Sequence, residues 1–254
     1  MRKFKLLIFI LVMTLFITAH KPKESFLKNQ LQFKRVKDAY DIHKVSISKK
    51  LTALNVDGSN FQILFIAYKA NKKLEIYVGN PEKQMSLFKT YDVCAQSGDI
   101  GPKYQTGDNQ TPEGYYYINR FNPASNFLLS LGLNYPNKAD KIRSNASDLG
   151  GDIFIHGNCL SIGCLAMTDE SIKEIYTLAI MARNSNQMKI PVIIAPFTML
   201  QSKKMDFDKQ ADLKPYAKYF GLWKSIFEGI STLHRTKQLP KFTISKTGSY
   251  ILTK

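Results

Sequence analysis

Apolar residues recur along this chain with two different periods, and the switch between them near residue 60 divides it. Between residues 24 and 58, Phe26, Leu27, Leu31, Val36, Ala39 and Tyr40 recur three and four positions apart with charged residues between them. That spacing predicts a helix with one apolar face. From Phe61 onward the pattern shortens. Gln62–Lys69 and Lys73–Val78, separated by Ala70-Asn71-Lys72, predict two strands turning at an asparagine, and Leu87–Ala95 predicts a third. A glycine-bearing loop runs from Ser97 to Gly114, and Tyr115–Ile118 and Phe127–Leu133 resume the strand pattern. Asp152–His156 reads as a short apolar strand that delivers His156 at its end. Ser171–Arg183 predicts an amphipathic helix, with Ser171 and Glu174 spaced as a capping box. Lys189–Phe197 returns to strand, residues 206–235 to helix with the only tryptophan, Trp223, and Lys241–Leu252 predicts a hairpin turning near Thr247-Gly248. The organisation expected is a helical N-terminal extension (20–60), a mainly β core (61–198), and a C-terminal helix with a β-hairpin (199–254).

The first nineteen residues read as a targeting segment. Arg2, Lys3 and Lys5 precede the apolar run from Leu6 to Ile17, and Ala19 fits the position before a cleavage site. The run is short for a membrane span, which favours a secretory signal peptide; an uncleaved anchor tethering the protein to the membrane is the alternative. Both place the body of the protein outside the cytoplasm, in a bacterial setting the periplasm. Net charge is +16, from 36 Lys and Arg against 20 Asp and Glu. Such a surface attracts polyanions. The lysines are scattered, however, and the chain holds no helix-turn-helix, zinc-finger or RNA-recognition pattern, which argues against nucleic acid as the partner. Three cysteines, Cys94, Cys159 and Cys164, leave at least one thiol unpaired within an exported chain. Pairing of Cys94 with Cys159 is one arrangement that the sequence leaves open.

Candidate chemistry concentrates in Ile155-His156-Gly157-Asn158-Cys159-Leu160-Ser161-Ile162-Gly163-Cys164, where an imidazole and a thiol lie eight residues apart. A thiolate is an inherently good nucleophile, and an imidazole can take its proton and return it to a leaving amine. A glycine before the cysteine lets backbone N–H groups approach a developing oxyanion. The bland alternative for a cysteine in a β core is a small buried apolar side chain; the flanking glycines and His156 favour chemistry at Cys164. Cys94 and Cys159 are expected to be structural, and His20, His43 and His234 to lie at the surface. Asp99, Asp108 and Glu113 are expected to solubilise and shape their loop.

These residues resemble the L,D-transpeptidase catalytic domain (YkuD-like) of bacterial cell-wall enzymes. That family carries a strand ending in His-Gly, then a variable loop, then Ser/Thr-His-Gly-Cys; Ile155-His156-Gly157 and Ser161-Ile162-Gly163-Cys164 match the two parts. Thr111-Pro112-Glu113-Gly114-Tyr115 resembles the family's Thr-Pro-x-Gly segment. The short His156–Cys164 interval, Ile162 in place of the motif histidine and Ala166 in place of Arg or Asn are similar to the YafK-type murein subgroup, as are Ser97-Gly98…Gly101-Pro102-Lys103 and Leu129-Ser130-Leu131-Gly132-Leu133. The resemblance implies a β-sandwich or barrel-like core with flanking α-helices. It implies Cys164 as nucleophile, His156 as general base and acid, and the N–H groups of Gly163 and Cys164 as the oxyanion hole. Ser161, Asn158 and Gly157 would support the loop or touch substrate. The implied reaction is cysteine-dependent acyl transfer on peptidoglycan stem peptides through a thioester, with no cofactor and no metal; a hydrolase cleaving peptide or protein–peptidoglycan linkages through the same intermediate is the alternative. Two other classes compete: a metal site built from His156, Cys159 and Cys164, with Cys94 available to complete the set after folding, and a wall-binding module without activity. The zinc spacings known for such ligands do not match, and retention of both His156 and Cys164 argues against the second.

Overall fold

In the computed structural model, which describes residues 26–198 and 211–253, the first helical stretch is two helices, α1 (Phe26–Leu31) and α2 (Lys34–Ala53). Phe33 between them takes an extended backbone, φ −82° and ψ 119°, and breaks the single helix that the periodicity predicts. The α2 helix buries Val36, Ala39, Ile47 and Leu51 on one face and ends before Asn55, whose φ is +56°. The apolar segment expected to direct export, and His20, lie outside the described residues. Among the described residues no helix is long and apolar enough to cross a membrane.

Eight strands form one mixed sheet: β1 (Gln62–Tyr68), β2 (Lys73–Gly79), β3 (Ser86–Asp92), β4 (Gly114–Asn122), β5 (Ser130–Leu133), β6 (Phe154–His156), β7 (Leu165–Ala166) and β8 (Ile190–Ala195). Their order is β3-β2-β1-β8-β4-β5-β6-β7, antiparallel except for β1 with β8 and β6 with β7. The fold is thus the expected β core with flanking helices. Strand β5 starts at Ser130, three residues later than the apolar run suggests. The sequence pattern also misses the two-residue β7 and the helix α3 (Lys138–Arg143), which Asn137 caps through a reciprocal box with Asp140. Helix α4 (Asp169–Asn184) begins two residues earlier than predicted. Its cap is Thr168, whose hydroxyl accepts the Ser171 N–H, so Ser171 lies inside the helix.

Side chains alternate across a strand, so a sheet covered on both faces needs apolar residues at every position. Strand β1 shows this: Ile63, Phe65 and Ala67 join the core beneath α2 and α4, while Leu64, Ile66 and Tyr68 join a second core. That second core is closed by α5 (Phe220–Thr236), the 3-10 segment Ala211–Tyr219 before it, and the hairpin of β9 (Lys241–Ile244) and β10 (Tyr250–Thr253). The hairpin turns where predicted, with Gly248 at φ +78°. The remainder of the predicted helix, 206–210, lies outside the described residues.

Between β3 and β4 the loop 97–113 is fastened from below by a buried ion pair. Lys69 Nζ lies 3.3 Å from Glu113 Oε1 with both side chains fully inaccessible, and donates to the carbonyls of Gly101 (2.7 Å) and Thr111 (2.8 Å). Glu113 accepts the Gly101 N–H and the Trp223 indole N–H, each at 2.7 Å. Glu113, which the sequence suggests as a loop solubiliser, is therefore the anchor joining loop, strand and α5. Burial pulls the Lys69 ammonium below its ordinary value, and Glu113 opposes that pull. Removing one partner of such a pair strands the other charge in the interior. Glu113→Ala is expected to lower unfolding stability by about 3–5 kcal/mol, read as a shift of the urea midpoint of the purified chain; a change below about 1 kcal/mol would show that the pair does not fasten the loop.

Candidate active site

One face of β5, β6 and β7 packs on α4 through Leu131, Leu133, Ile155 and Leu165. The opposite face is where the second core stops, since α5 and the hairpin cover β1, β8 and the start of β4. Strand register arranges two rows of residues on this uncovered face. Arg120 pairs with Gly132 and Gly132 with Phe154, and Cys164 immediately precedes Leu165, the partner of Ile155. In the next row Asn122 pairs with Ser130, Ser130 with His156 and His156 with Ala166. Cys164, just before β7, and His156, at the end of β6, are therefore two positions out of step on adjacent segments. Both line one cavity of about 350 Å³, together with Asn122, Ser125, Asn126, Phe127, Ser130, Asp152 and Phe154.

The His156 ring is held on two sides. Its Nδ1 lies 2.6 Å from the Gly157 carbonyl, and the Phe127 ring stacks on it at 4.6 Å between centroids. A carbonyl only accepts, so Nδ1 carries the proton and Nε2 keeps its lone pair. Burial lowers the imidazole pKa below its ordinary 6.5, against a smaller opposing pull from the Gly157 carbonyl. Burial likewise raises the Cys164 thiol above its ordinary 9.0; the Phe154 N–H pulls the other way and the Asp152 carboxylate adds to the rise. The Cys164 sulfur accepts that N–H at 3.4 Å, and its own hydrogen points at the Asp152 carbonyl at 3.6 Å. Both shifts favour the uncharged forms, a thiol beside a neutral imidazole.

The loop joining the two side chains is pinned along its length. Gly157 donates to the Phe127 carbonyl at 3.1 Å, and a Cβ there would lie 2.8 Å from Asp169 Oδ1, so only glycine fits beneath the start of α4. Asn158, at φ +59°, gives its N–H to the same Asp169 oxygen. Cys159 is bonded to Cys94, with Cα atoms 5.4 Å apart, which realises the pairing the sequence left open and leaves Cys164 as the free thiol. The suggested metal set of His156, Cys159 and Cys164 thereby loses a thiolate. Ser161 Oγ donates to the Cys164 carbonyl at 2.7 Å. Gly163, at φ +93°, gives its N–H to Ser97 Oγ at 2.6 Å instead of presenting it to the cavity, and Ser97 in turn donates to the Asn109 carbonyl.

The structure thus brings Cys164 and His156 together, and separates from them other residues that the sequence singles out. Asn158 lines a neighbouring cavity with Arg35 and Asp169, while Gly157 and Ser161 serve the loop backbone. His43 and His234 are half-buried rather than superficial, and His234 Nε2 lies 3.2 Å from the Tyr77 hydroxyl. Sequence reasoning does not pick out Asn122, Ser130, Phe127 or Phe154 as lining residues. Ser130 and Gly132 do carry a signal, since they alternate with the core leucines Leu129, Leu131 and Leu133.

Residues 52–194 match the family model YkuD, the L,D-transpeptidase catalytic domain. The chain is 30% identical over 189 residues to the Escherichia coli (strain K12) protein YafK, covering 74% of this chain and 72% of YafK. Among solved structures, the helical cell shape determining protein Pgp2 from Campylobacter jejuni aligns over 74% of each chain at 20% identity and a TM-score of 0.44. Bdellovibrio bacteriovorus Bd1075 aligns over 63% of this chain and 57% of its own at 22% identity and a TM-score of 0.41. The match to the catalytic-domain model spans more than half the sequence, and with the identity to YafK it establishes that the chain belongs to the L,D-transpeptidase family.

Proposed function

We propose that this protein is an exported enzyme, working in the periplasm, that transfers acyl groups of peptidoglycan stem peptides through a thioester on Cys164. The family acts on peptidoglycan. The observation that carries the reading is the shared cavity, into which a free thiol and a buried imidazole with an available Nε2 both face. In this reaction Nε2 of His156 accepts the Cys164 proton as sulfur attacks the carbonyl of an L-centre that precedes a D-centre. The carbonyl oxygen becomes an oxyanion next to the Cys164 N–H; the Gly163 N–H joins it only when Ser97 releases that donor. Collapse breaks the peptide bond, and His156 returns the proton to the departing amine. An amine or water then attacks the thioester and regenerates the thiol.

Hydrolysis is the second reading, favoured by one feature of the loop. Ile162, which stands where the family motif has histidine, is 78% exposed, and Ala166 is fully buried, so neither supplies a polar group to orient an incoming amine. Defined disaccharide tetrapeptides, offered with and without an amine acceptor, separate the two: cross-linked or exchanged products signify transfer, shortened peptides alone signify hydrolysis. In both cases acid-quenched wild-type protein is expected to gain the mass of the acyl group, and Cys164→Ala to gain none. Unchanged mass of the wild type during turnover would rule out the thioester.

The pH profile tests the uncharged pair. A base with a depressed pKa is protonated only at low pH, and activity is lost when it is. Acylation rate is expected to rise with pH through a midpoint below 6.5 and then hold level through neutrality, with no fall until pH passes the ordinary thiol value of 9.0. A midpoint above 7 would point to a base other than a buried His156.

A further inference from the structure

The His156 ring owes one of its two restraints to Phe127, which is 40% exposed and belongs to the turn between β4 and β5. What fastens that turn comes from outside the sheet. Arg35, on α2, places Nη1 2.7 Å from the Ser125 carbonyl and 2.7 Å from the Leu128 carbonyl, bracketing Asn126 and Phe127. A guanidinium nitrogen carries two hydrogens, one for each acceptor, and its charge strengthens both bonds. Inside the bracket the Phe127 N–H donates to Ser125 Oγ at 3.0 Å, and the Phe127 carbonyl accepts the Gly157 N–H at 3.1 Å. Leu128 has a φ of +68°, a backbone state that a side chain of its size keeps only when its surroundings enforce it. Arg35 is itself steady, because the next residue, Val36, is buried in the core.

Contacts thus run from α2 through two carbonyls and Phe127 to the imidazole beside Cys164. Arg35 does not line the cavity that holds the thiol. It lines the adjoining one, of about 510 Å³, and the two cavities share Ser125 and Asn126. We propose that Arg35 is a positioning residue: by clamping the 125–128 turn it holds the Phe127 ring on His156, which keeps the imidazole oriented and dry. This rests on the reading of His156 as the base, and it gives the N-terminal helical extension a part in the reaction. The ionisable groups around the ring are Cys164 and Asp152 in the cavity and Asp169 beneath Gly157. The charge of Arg35 is a further one, so its field has to be separated from its clamp.

The test reads the ring directly, by NMR titration of His156 in the Cys164→Ala protein, which needs no turnover. With Arg35 in place His156 is expected to titrate below 6.5; in Arg35→Ala the released Phe127 admits water and the midpoint should rise toward 6.5. Phe127→Ala should produce the same rise. Combining the two should add nothing to Phe127→Ala alone, the mark of one residue acting through the other. Lys37→Ala removes a cation from the same helix and is expected to move nothing; a shift equal to that of Arg35→Ala would assign the effect to charge and overturn the proposal. Arg35→Lys keeps a charged donor and should recover part of the native value. Arg35→Gln, shorter and uncharged, should behave as Arg35→Ala and replaces it if that variant does not fold. With Cys164 restored, kcat of Arg35→Ala is expected to fall roughly ten- to hundredfold with KM nearly unchanged, as moving a reacting group by about 1 Å implies. An unmoved His156 midpoint, a further rise in the double variant, or a loss confined to KM would each overturn the proposal. If the wild type gains no acyl mass but the His156 midpoint follows Arg35 and Phe127, the acyl-transfer reading fails and the positioning role stands. If the acyl-enzyme forms while the midpoint ignores Arg35, the positioning role alone fails.

Discussion

Parallel pairing of a three-residue strand with a two-residue strand is the constraint on which this site depends. Side chains alternate along a strand, so a slip of one residue between β6 and β7 would turn either His156 or Cys164 into the core beneath α4. So few ladder bonds cannot hold a register unaided. Neighbouring chain supplies what is missing. Ala95 and Ala166 exchange N–H and carbonyl contacts, Cys94 donates to the Ala166 carbonyl, and Met167 donates to that of His156. The Cys94–Cys159 bond then ties the end of this clamp to the loop itself, and Ser97 and Ser161 secure the two residues before and at Cys164. Reduction of that bond would free the loop on one side only, since the hydrogen bonds of the serines and of Asp169 are independent of it.

How much of this is legible in sequence depends on how far apart the partners lie. His156 and Cys164 are close along the chain, and their candidacy rests on residue types that the sequence displays directly. Strand periods and the hairpin at Gly248 are equally local and can be found from pattern. The fate of the Gly163 N–H is different: its acceptor, Ser97, is 66 residues away and belongs to a loop with no periodicity. Glu113 misleads for a similar reason. Within its loop it resembles a solvated carboxylate, and only the arrival of Lys69 and Trp223 from distant elements makes burial favourable. Phe33 shows the opposite failure, where a helical period continues through a residue whose backbone is extended. Thr168 and Ser171 show a milder one, since both can cap a helix and the choice is made by where α4 meets the end of β7.

The electrostatics of the site follow from the same burial that shapes it. Packing His156 against Phe127 fixes the ring but also removes water that would stabilise an imidazolium. Cys164 is partly enclosed, and the nearby Asp152 carboxylate further disfavours a thiolate. A thiolate is the nucleophilic and readily oxidised form of cysteine, so a resting thiol is the less reactive state. Under the proposed reaction, the neutral pair becomes nucleophilic only when proton transfer accompanies attack.

Asp152 links this restraint to the cation beside it. The residue contributes two groups: a carbonyl that accepts the thiol hydrogen, and a carboxylate that both disfavours the thiolate and pairs with Arg120. That carboxylate is 80% exposed and already paired with Arg120, so water, salt and the guanidinium all weaken its hold on the thiol. The larger cause of the raised thiol value is burial, which acts whatever the salt concentration.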